Sequence, residues 1–191
     1  MAFNDIHGHE KQIEVLRQAI ASGRIPNAYL FTGPPNVGKT LVAQEFARAI
    51  NCERLPEDLK ASAIDACGEC HNCVRMAQDN HPDLQILRPA VRVEVKPPKE
   101  DASERSSDEP QARTVSRDVY IELPDALIYT EQVERLIQHL SAKPALARRK
   151  IVIICSAERM HTDGANKLLK TLEEPPPNTS FVLTSANPSR L

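Results

Sequence analysis

The chain has 191 residues, 41% of them apolar and 26% charged, with a formal net charge of −2. That length supports one sizeable domain with a buried core, and the charge gives no global reason to expect strong nucleic-acid binding. No run of about 18 apolar residues is present, which excludes a membrane-spanning helix. Local basic groups such as Arg148-Arg149-Lys150 remain. The start, Met1-Ala2-Phe3-Asn4-Asp5, lacks the apolar stretch of a signal peptide, and a cytoplasmic location is expected.

Glu10 to about Ser22 reads as a helix, with Ile13, Leu16 and Ile20 on one face. Ala28-Tyr29-Leu30-Phe31 reads as a short buried strand. It leads into Gly33-Pro34-Pro35-Asn36-Val37-Gly38-Lys39-Thr40, which fits G-x-x-x-x-G-K-[ST], the phosphate-binding P-loop. The spacing has a chemical reason. Glycine at both ends lets successive backbone N–H groups turn inward around a polyphosphate. Lys39 then reaches the β/γ-phosphates, and the Thr40 hydroxyl can ligate Mg²⁺. Leu41-Val42, Phe46 and Ala49-Ile50 recur at helical spacing, so the phosphates would sit at a helix N-terminus. The candidate nucleotide-binding residues are Gly33, Pro34, Pro35, Asn36, Val37, Gly38, Lys39, Thr40 and Leu41, with ATP and a weakly held Mg²⁺ as the expected cofactor.

Four of the five cysteines are grouped: Cys52, Cys67, Cys70 and Cys73. In a reducing compartment this spacing reads as metal before disulfide. Cys67-x-x-Cys70-x-x-Cys73 makes a tight knuckle eased by Gly68, and Cys52, at the end of the P-loop helix, supplies a fourth thiolate. Four thiolates satisfy tetrahedral Zn²⁺, and a closed set of four has no open position for water, so the site is expected to be structural. His71 is a competing ligand, disfavoured by its place inside the knuckle. Unligated thiols and a disulfide are the alternatives.

Val74-Arg75-Met76-Ala77 is expected to start a short helix, and Asp83-Leu84-Gln85-Ile86-Leu87 reads as a strand. About 89–117 is rich in Pro, Ser, Glu, Lys and Arg, and is expected to be a poorly ordered insertion. A helix over 130–141 carries Val133, Leu136, Ile137 and Leu140. A strand over 150–154 follows, then a helix from about Thr162 to Glu173, stopped by Pro175-Pro176-Pro177. Phe181-Val182-Leu183-Thr184 is a final strand. Strands alternating with helices around a P-loop predict an α/β domain with a parallel sheet flanked by helices, plus the small four-cysteine zinc module.

P-loop NTPases hold Mg²⁺ with an acidic residue at the end of a second apolar strand. Here the strand Ile151-Val152-Ile153-Ile154 ends in Cys155-Ser156. A neutral thiol is a poor partner for a hard cation that prefers oxygen. The cradle for nucleotide is therefore kept, and the hydrolytic half is expected to be missing. Glu158, four residues past the strand, is not promoted to a catalytic base on sequence alone.

With these residues in hand, the chain resembles the AAA+ subunits of the bacterial DNA polymerase III clamp loader. The resemblance rests on Ile6-His7-Gly8-His9 before the first helix, Asn27-Ala28-Tyr29-Leu30-Phe31 before the P-loop, and the four-cysteine module directly after the P-loop helix. Most specific is Leu168-Leu169-Lys170-Thr171-Leu172-Glu173-Glu174-Pro175-Pro176. The resemblance implies an AAA+ core, a hetero-oligomer with other clamp-loader subunits, and action on the sliding clamp and primed DNA through that complex. It implies a γ-phosphate sensor at Thr184 or Ser185, and a DNA-facing helix carrying Asn166 and Lys170, for which a solvated face is the alternative. The family's lid, C-terminal collar and Ser-Arg-Cys motif are expected beyond this chain, and Ser189-Arg190-Leu191 is not that motif. Ile154-Cys155-Ser156-Ala157-Glu158 looks more like the delta-prime type, a stator that binds ATP without hydrolysing it. The alternative is an active gamma/tau-type ATPase. A third reading, an unrelated zinc-containing P-loop repair factor, is opposed by the Leu168–Pro176 string.

Overall fold

The computed structural model describes residues 2–55, 60–95 and 117–190. Helix α1 (Glu10–Ala21) precedes strand β1 (Ala28–Thr32), and α2 (Lys39–Ile50) follows the P-loop. A short helix α3 (His71–Ala77) leads to β2 (Leu84–Leu87), β3 (Ala90–Val95) and β4 (Arg117–Glu122). Helix α4 (Thr130–Leu140), β5 (Lys150–Ile154), α5 (Thr162–Glu173) and β6 (Thr179–Ser185) complete the order. Strands β1, β6, β5 and β2 lie side by side in that order, all parallel, which is the α/β architecture the sequence predicts.

Every residue of β5 is buried. Successive side chains point to opposite faces of a strand. Ile151 and Ile153 therefore pack with Ile13, Val42 and Phe46 of α1 and α2, while Val152 and Ile154 pack with Val133, Leu136 and Leu168 of α4 and α5. A parallel strand covered by helices on both sides needs no polar alternation, which explains the unbroken apolar run. Helix α2 is the interior helix. Its Ala43, Ala47 and Ala49 are wholly buried, and its two buried charges, Glu45 and Arg48, pair with each other at 2.7 Å.

Three readings need correction. Strand β1 is not buried: it lies at the edge of the sheet, so its residues alternate between exposed and half-buried, with Leu30 exposed. Helix α3 starts at His71, three residues earlier than expected, because the Cys70 sulfur accepts the Cys73 N–H and caps the first turn. The stretch 89–117 is not irregular at its ends. Ala90–Val95 and Arg117–Glu122 pair as an antiparallel ribbon, with Val91 opposite Ile121 and Val93 opposite Val119. Apolar and polar residues alternate along Val91-Arg92-Val93, a strand period that an average over composition hides. Residues 96–116, the centre of that expectation, lie outside the described residues.

The segment between α4 and β5 is held by Asp83. Its carboxylate accepts the backbone N–H groups of Ala145, Leu146 and Ala147 at 2.8, 2.7 and 2.8 Å. Burial opposes ionisation, but these donors outweigh it and hold the carboxyl below its ordinary value. A carboxyl depressed in the folded state stabilises the fold above its unfolded pKa, near pH 4, and this is lost as pH falls through the folded value. Asp83→Ala leaves those N–H groups without an acceptor and is expected to cost about 3 kcal/mol. The readout is a lower urea midpoint at unchanged slope, with Asp83→Asn also flattening the acid limb of the stability curve. A midpoint equal to that of the wild type in both variants would show that Asp83 does not hold this segment.

Candidate functional site

Strand β1 ends at Thr32 and delivers the chain to the P-loop, and α2 begins at Lys39. Gly38 turns the chain into α2 with φ 94°, a left-handed conformation in which a side chain is strained. No side chain caps this terminus, so the first N–H groups of α2 are available to an anion. Lys39 Nζ donates to the carbonyls of Gly33 and Pro34 at 2.8 and 2.6 Å, which sets the ammonium inside the loop. His9, just ahead of α1, donates from Nε2 to the Val37 carbonyl.

The predicted set divides between two hollows. Pro35, Asn36, Gly38, Lys39, Thr40 and Leu41 line a cleft of about 700 Å³. Gly33, Pro34 and Val37 border a separate cavity of about 530 Å³ on the α1 side, and Lys39 reaches both. Thr40 Oγ1 lies 3.6 Å from Cys155 Sγ, so the end of β5 comes to the residue expected to hold Mg²⁺. Burial pushes the Cys155 thiol up and keeps it neutral. Both sensor candidates also line the cleft. Thr184 Oγ1 accepts the Ser156 N–H at 3.2 Å, and Ser185 Oγ accepts the Asn187 N–H at 3.0 Å.

Sequence reasoning missed three participants and undervalued a fourth. His9 enters it only through the family resemblance. Asp125 and Arg159 line the cleft as an ion pair at 2.9 Å, and come from segments with no local signal. Glu158 lines it too. Its Oε1 accepts the Ala186 N–H at 3.2 Å, while Oε2 is enclosed without a partner among the described residues.

At the far end of α2, the sulfurs of Cys52, Cys67, Cys70 and Cys73 all lie within 4.8 Å of one another. His71 is not in the cluster, and all five cysteines are free thiols. Zn–S bonds of about 2.3 Å imply S···S edges of about 3.8 Å in a tetrahedron. Cys67 and Cys73 are already 3.9 Å apart. The Cys70 N–H points at Cys67 Sγ at 3.3 Å, and the Cys73 N–H at Cys70 Sγ at 3.5 Å. Burial raises Cys52 and Cys73, whereas at Cys67 the N–H groups of Cys70 and Glu69 outweigh burial and bring the thiol down. A dication among the four sulfurs would favour all four thiolates, so the donor set fits structural Zn²⁺.

The module is tied to the sheet through buried amides. Asn72 donates to the Asn51 carbonyl at 3.0 Å and accepts from His81 Nε2 at 3.0 Å, and His81 Nδ1 accepts the Asp83 N–H at 3.0 Å.

The sequence matches the family described as DNA polymerase III, delta subunit, over residues 8–191. The DNA polymerase III subunit delta' of Pseudomonas aeruginosa is 32% identical over 165 residues, covering 86% of this chain and 39% of that protein. The DNA polymerase III subunit tau/gamma of Haemophilus influenzae is 29% identical over 189 residues, covering 99% of this chain and 22% of that protein. The crystal structure of a DNA polymerase III, gamma subunit-related protein from Thermotoga maritima superposes with a TM-score of 0.54 at 20% identity, over 94% of this chain and 41% of that one. This last likeness shows the fold alone. The chain thus spans less than half the length of each of these relatives.

Metal analysis of protein purified without chelator is expected to give about one zinc per chain, lost in Cys70→Ser/Cys73→Ser. That variant should lose thermal stability before it loses nucleotide contact, because α2 places the module about 18 Å from the P-loop. Wild-type protein without zinc, or a variant that keeps it, would refute the assignment.

Proposed function

Because the chain belongs to the DNA polymerase III, delta subunit family, we propose that it is a clamp-loader subunit in DNA replication, of the delta-prime type, that binds ATP without turning it over. Its partners on this reading are the other clamp-loader subunits, with the sliding clamp and primed DNA reached through the complex. Cys52, Cys67, Cys70 and Cys73 hold a structural Zn²⁺.

The observation that carries the reading is the approach of Cys155 to Thr40 at 3.6 Å. Phosphate recognition would use the backbone of the loop, the uncapped α2 terminus and Lys39. Retaining Mg²⁺ and orienting a water for attack both need oxygen donors at the end of β5. A buried neutral thiol supplies neither. ATP then serves as a fixed ligand, and the subunit acts as a rigid support for a neighbouring ATPase.

The second reading, an active gamma/tau-type ATPase, is favoured by the intact loop and by Glu158 and Asp125 in the cleft wall. Titration with a fluorescent ATP analogue and steady-state phosphate release, measured on the protein assembled with its partner subunits, separate the two. Lys39→Ala is expected to weaken nucleotide binding at least about tenfold, through the lost charge-assisted contact to phosphate. Turnover of the complex should not change. If Lys39→Ala abolishes a turnover that the other subunits cannot account for, the ATPase reading replaces the stator reading.

A further inference from the structure

Among the described residues, the outer face of the β3–β4 ribbon is largely apolar and uncovered. Val91, Val93, Val119 and Ile121 are 39%, 37%, 44% and 51% exposed, and Leu123, next on the same side, is 47% exposed. These residues form one surface. The ladder sets Val91 opposite Ile121 and Val93 opposite Val119, and the strand period puts all four on one face. The opposite face is already used. The Tyr120 ring lies 6.1 Å from that of Tyr129, the Arg135 guanidinium sits 5.2 Å over Tyr120, and Arg92 pairs with Glu131 at 3.6 Å. The ribbon is thus anchored on α4 by one side and presents branched aliphatics on the other. Threonine would give similar strand propensity without an apolar surface, so the local fold does not require valine and isoleucine there.

We propose that this face docks against an aliphatic surface on a neighbouring subunit of the polymerase III assembly, an inference that rests on the reading of the chain as a subunit of that assembly. Three considerations select the occupant. Residues 96–116 join the two strands, but their sequence holds one branched aliphatic, Val115, among nine charged residues, too little to cover the face. A second copy is excluded as sole partner by size. Five half-exposed side chains offer on the order of a few hundred Å², below the roughly 800 Å² per partner of a stable pair. A patch of that size adds to contacts made elsewhere, which is the situation of a subunit inside a larger assembly. Finally, among the described side chains beside the ribbon, Arg92 pairs with Glu131 and Arg88 with Asp79 and Glu122, and the register sets Arg117 at the end of the same face. The five aliphatic side chains are the bulk of the described face, and an apolar partner gains most by covering them.

The test uses the protein reconstituted with the other polymerase III subunits of its own source. A photo-cross-linking residue replaces Ile121, and Val93→Asp, Ile121→Asp and the double variant Val93→Thr/Ile121→Thr are compared with the wild type for assembly affinity. Position 121 is expected to cross-link to another subunit, and each Asp variant to weaken assembly about tenfold. The Thr pair keeps β-branching and folds as the wild type does, and is expected to weaken assembly by a smaller factor. Unchanged affinity in the Thr pair, a cross-link to a second copy of this chain, or a cross-link to DNA overturns the proposal. A wild-type chain that fails to assemble sinks the subunit reading and this inference together. Normal assembly that ignores the ribbon variants sinks the inference alone.

Discussion

Strand β5 has no free side, and the phosphate cleft inherits its rigidity. One set of its side chains is committed to α1 and α2 and the alternate set to α4 and α5. A one-residue slip in register would exchange the two sets and unpack both cores at once. Just beyond the strand, the Cys155 N–H donates to the Leu87 carbonyl at 2.9 Å and the Ser156 N–H to Thr184 Oγ1 at 3.2 Å. Ser156 then leaves with φ 51°, a conformation that costs a non-glycine residue free energy and persists because its neighbours determine it. Cys155 is thus held beside Thr40 by the pairing of the sheet.

This rigidity separates two functions that P-loop proteins usually combine. Cradling a polyphosphate depends on backbone direction, one lysine and a helix terminus, and none of these is sensitive to the residue at the end of β5. Hydrolysis depends on charge placed within reach of metal and water, and that charge is absent from the strand end. On the proposed reading, the absence of carboxylates at the strand end would leave the phosphate cradle unchanged. Of the acidic groups that line the cleft, Asp125 pairs with Arg159, and Glu158 accepts the Ala186 N–H with one oxygen while the other has no partner among the described residues.

What was legible in the sequence had a local period or a fixed spacing. The P-loop, the knuckle and the apolar runs of β5 and β6 are of this kind, because backbone geometry dictates their spacing. What was not legible is set by contacts between distant segments. His9 reaches Val37 across 28 positions, and Asp125 reaches Arg159 across 34. The ribbon failed to register for a different reason. Its valines alternate with charged residues inside a stretch dominated by Pro, Ser and charge, and its apolar face is not buried, so a reading that looks for a core passes over it. The early start of α3 was hidden because a cysteine read as a ligand also caps the helix.

The two ends of α2 make opposite electrostatic demands. Its N-terminus carries the positive end of the helix dipole toward the phosphate cleft, and its C-terminus carries the negative end toward the cysteines. Four thiolates around one Zn²⁺ would add a net charge of about −2 at that negative end. Arg48 answers this. It lies in the last turn of α2, is buried, and its guanidinium comes next to Gly68 of the knuckle. Glu45 shares the same guanidinium at 2.7 Å, and burial pushes its carboxyl up. The cation at the helix end thus has the Glu45 carboxylate as its ion-pair partner and the backbone of the knuckle beside it.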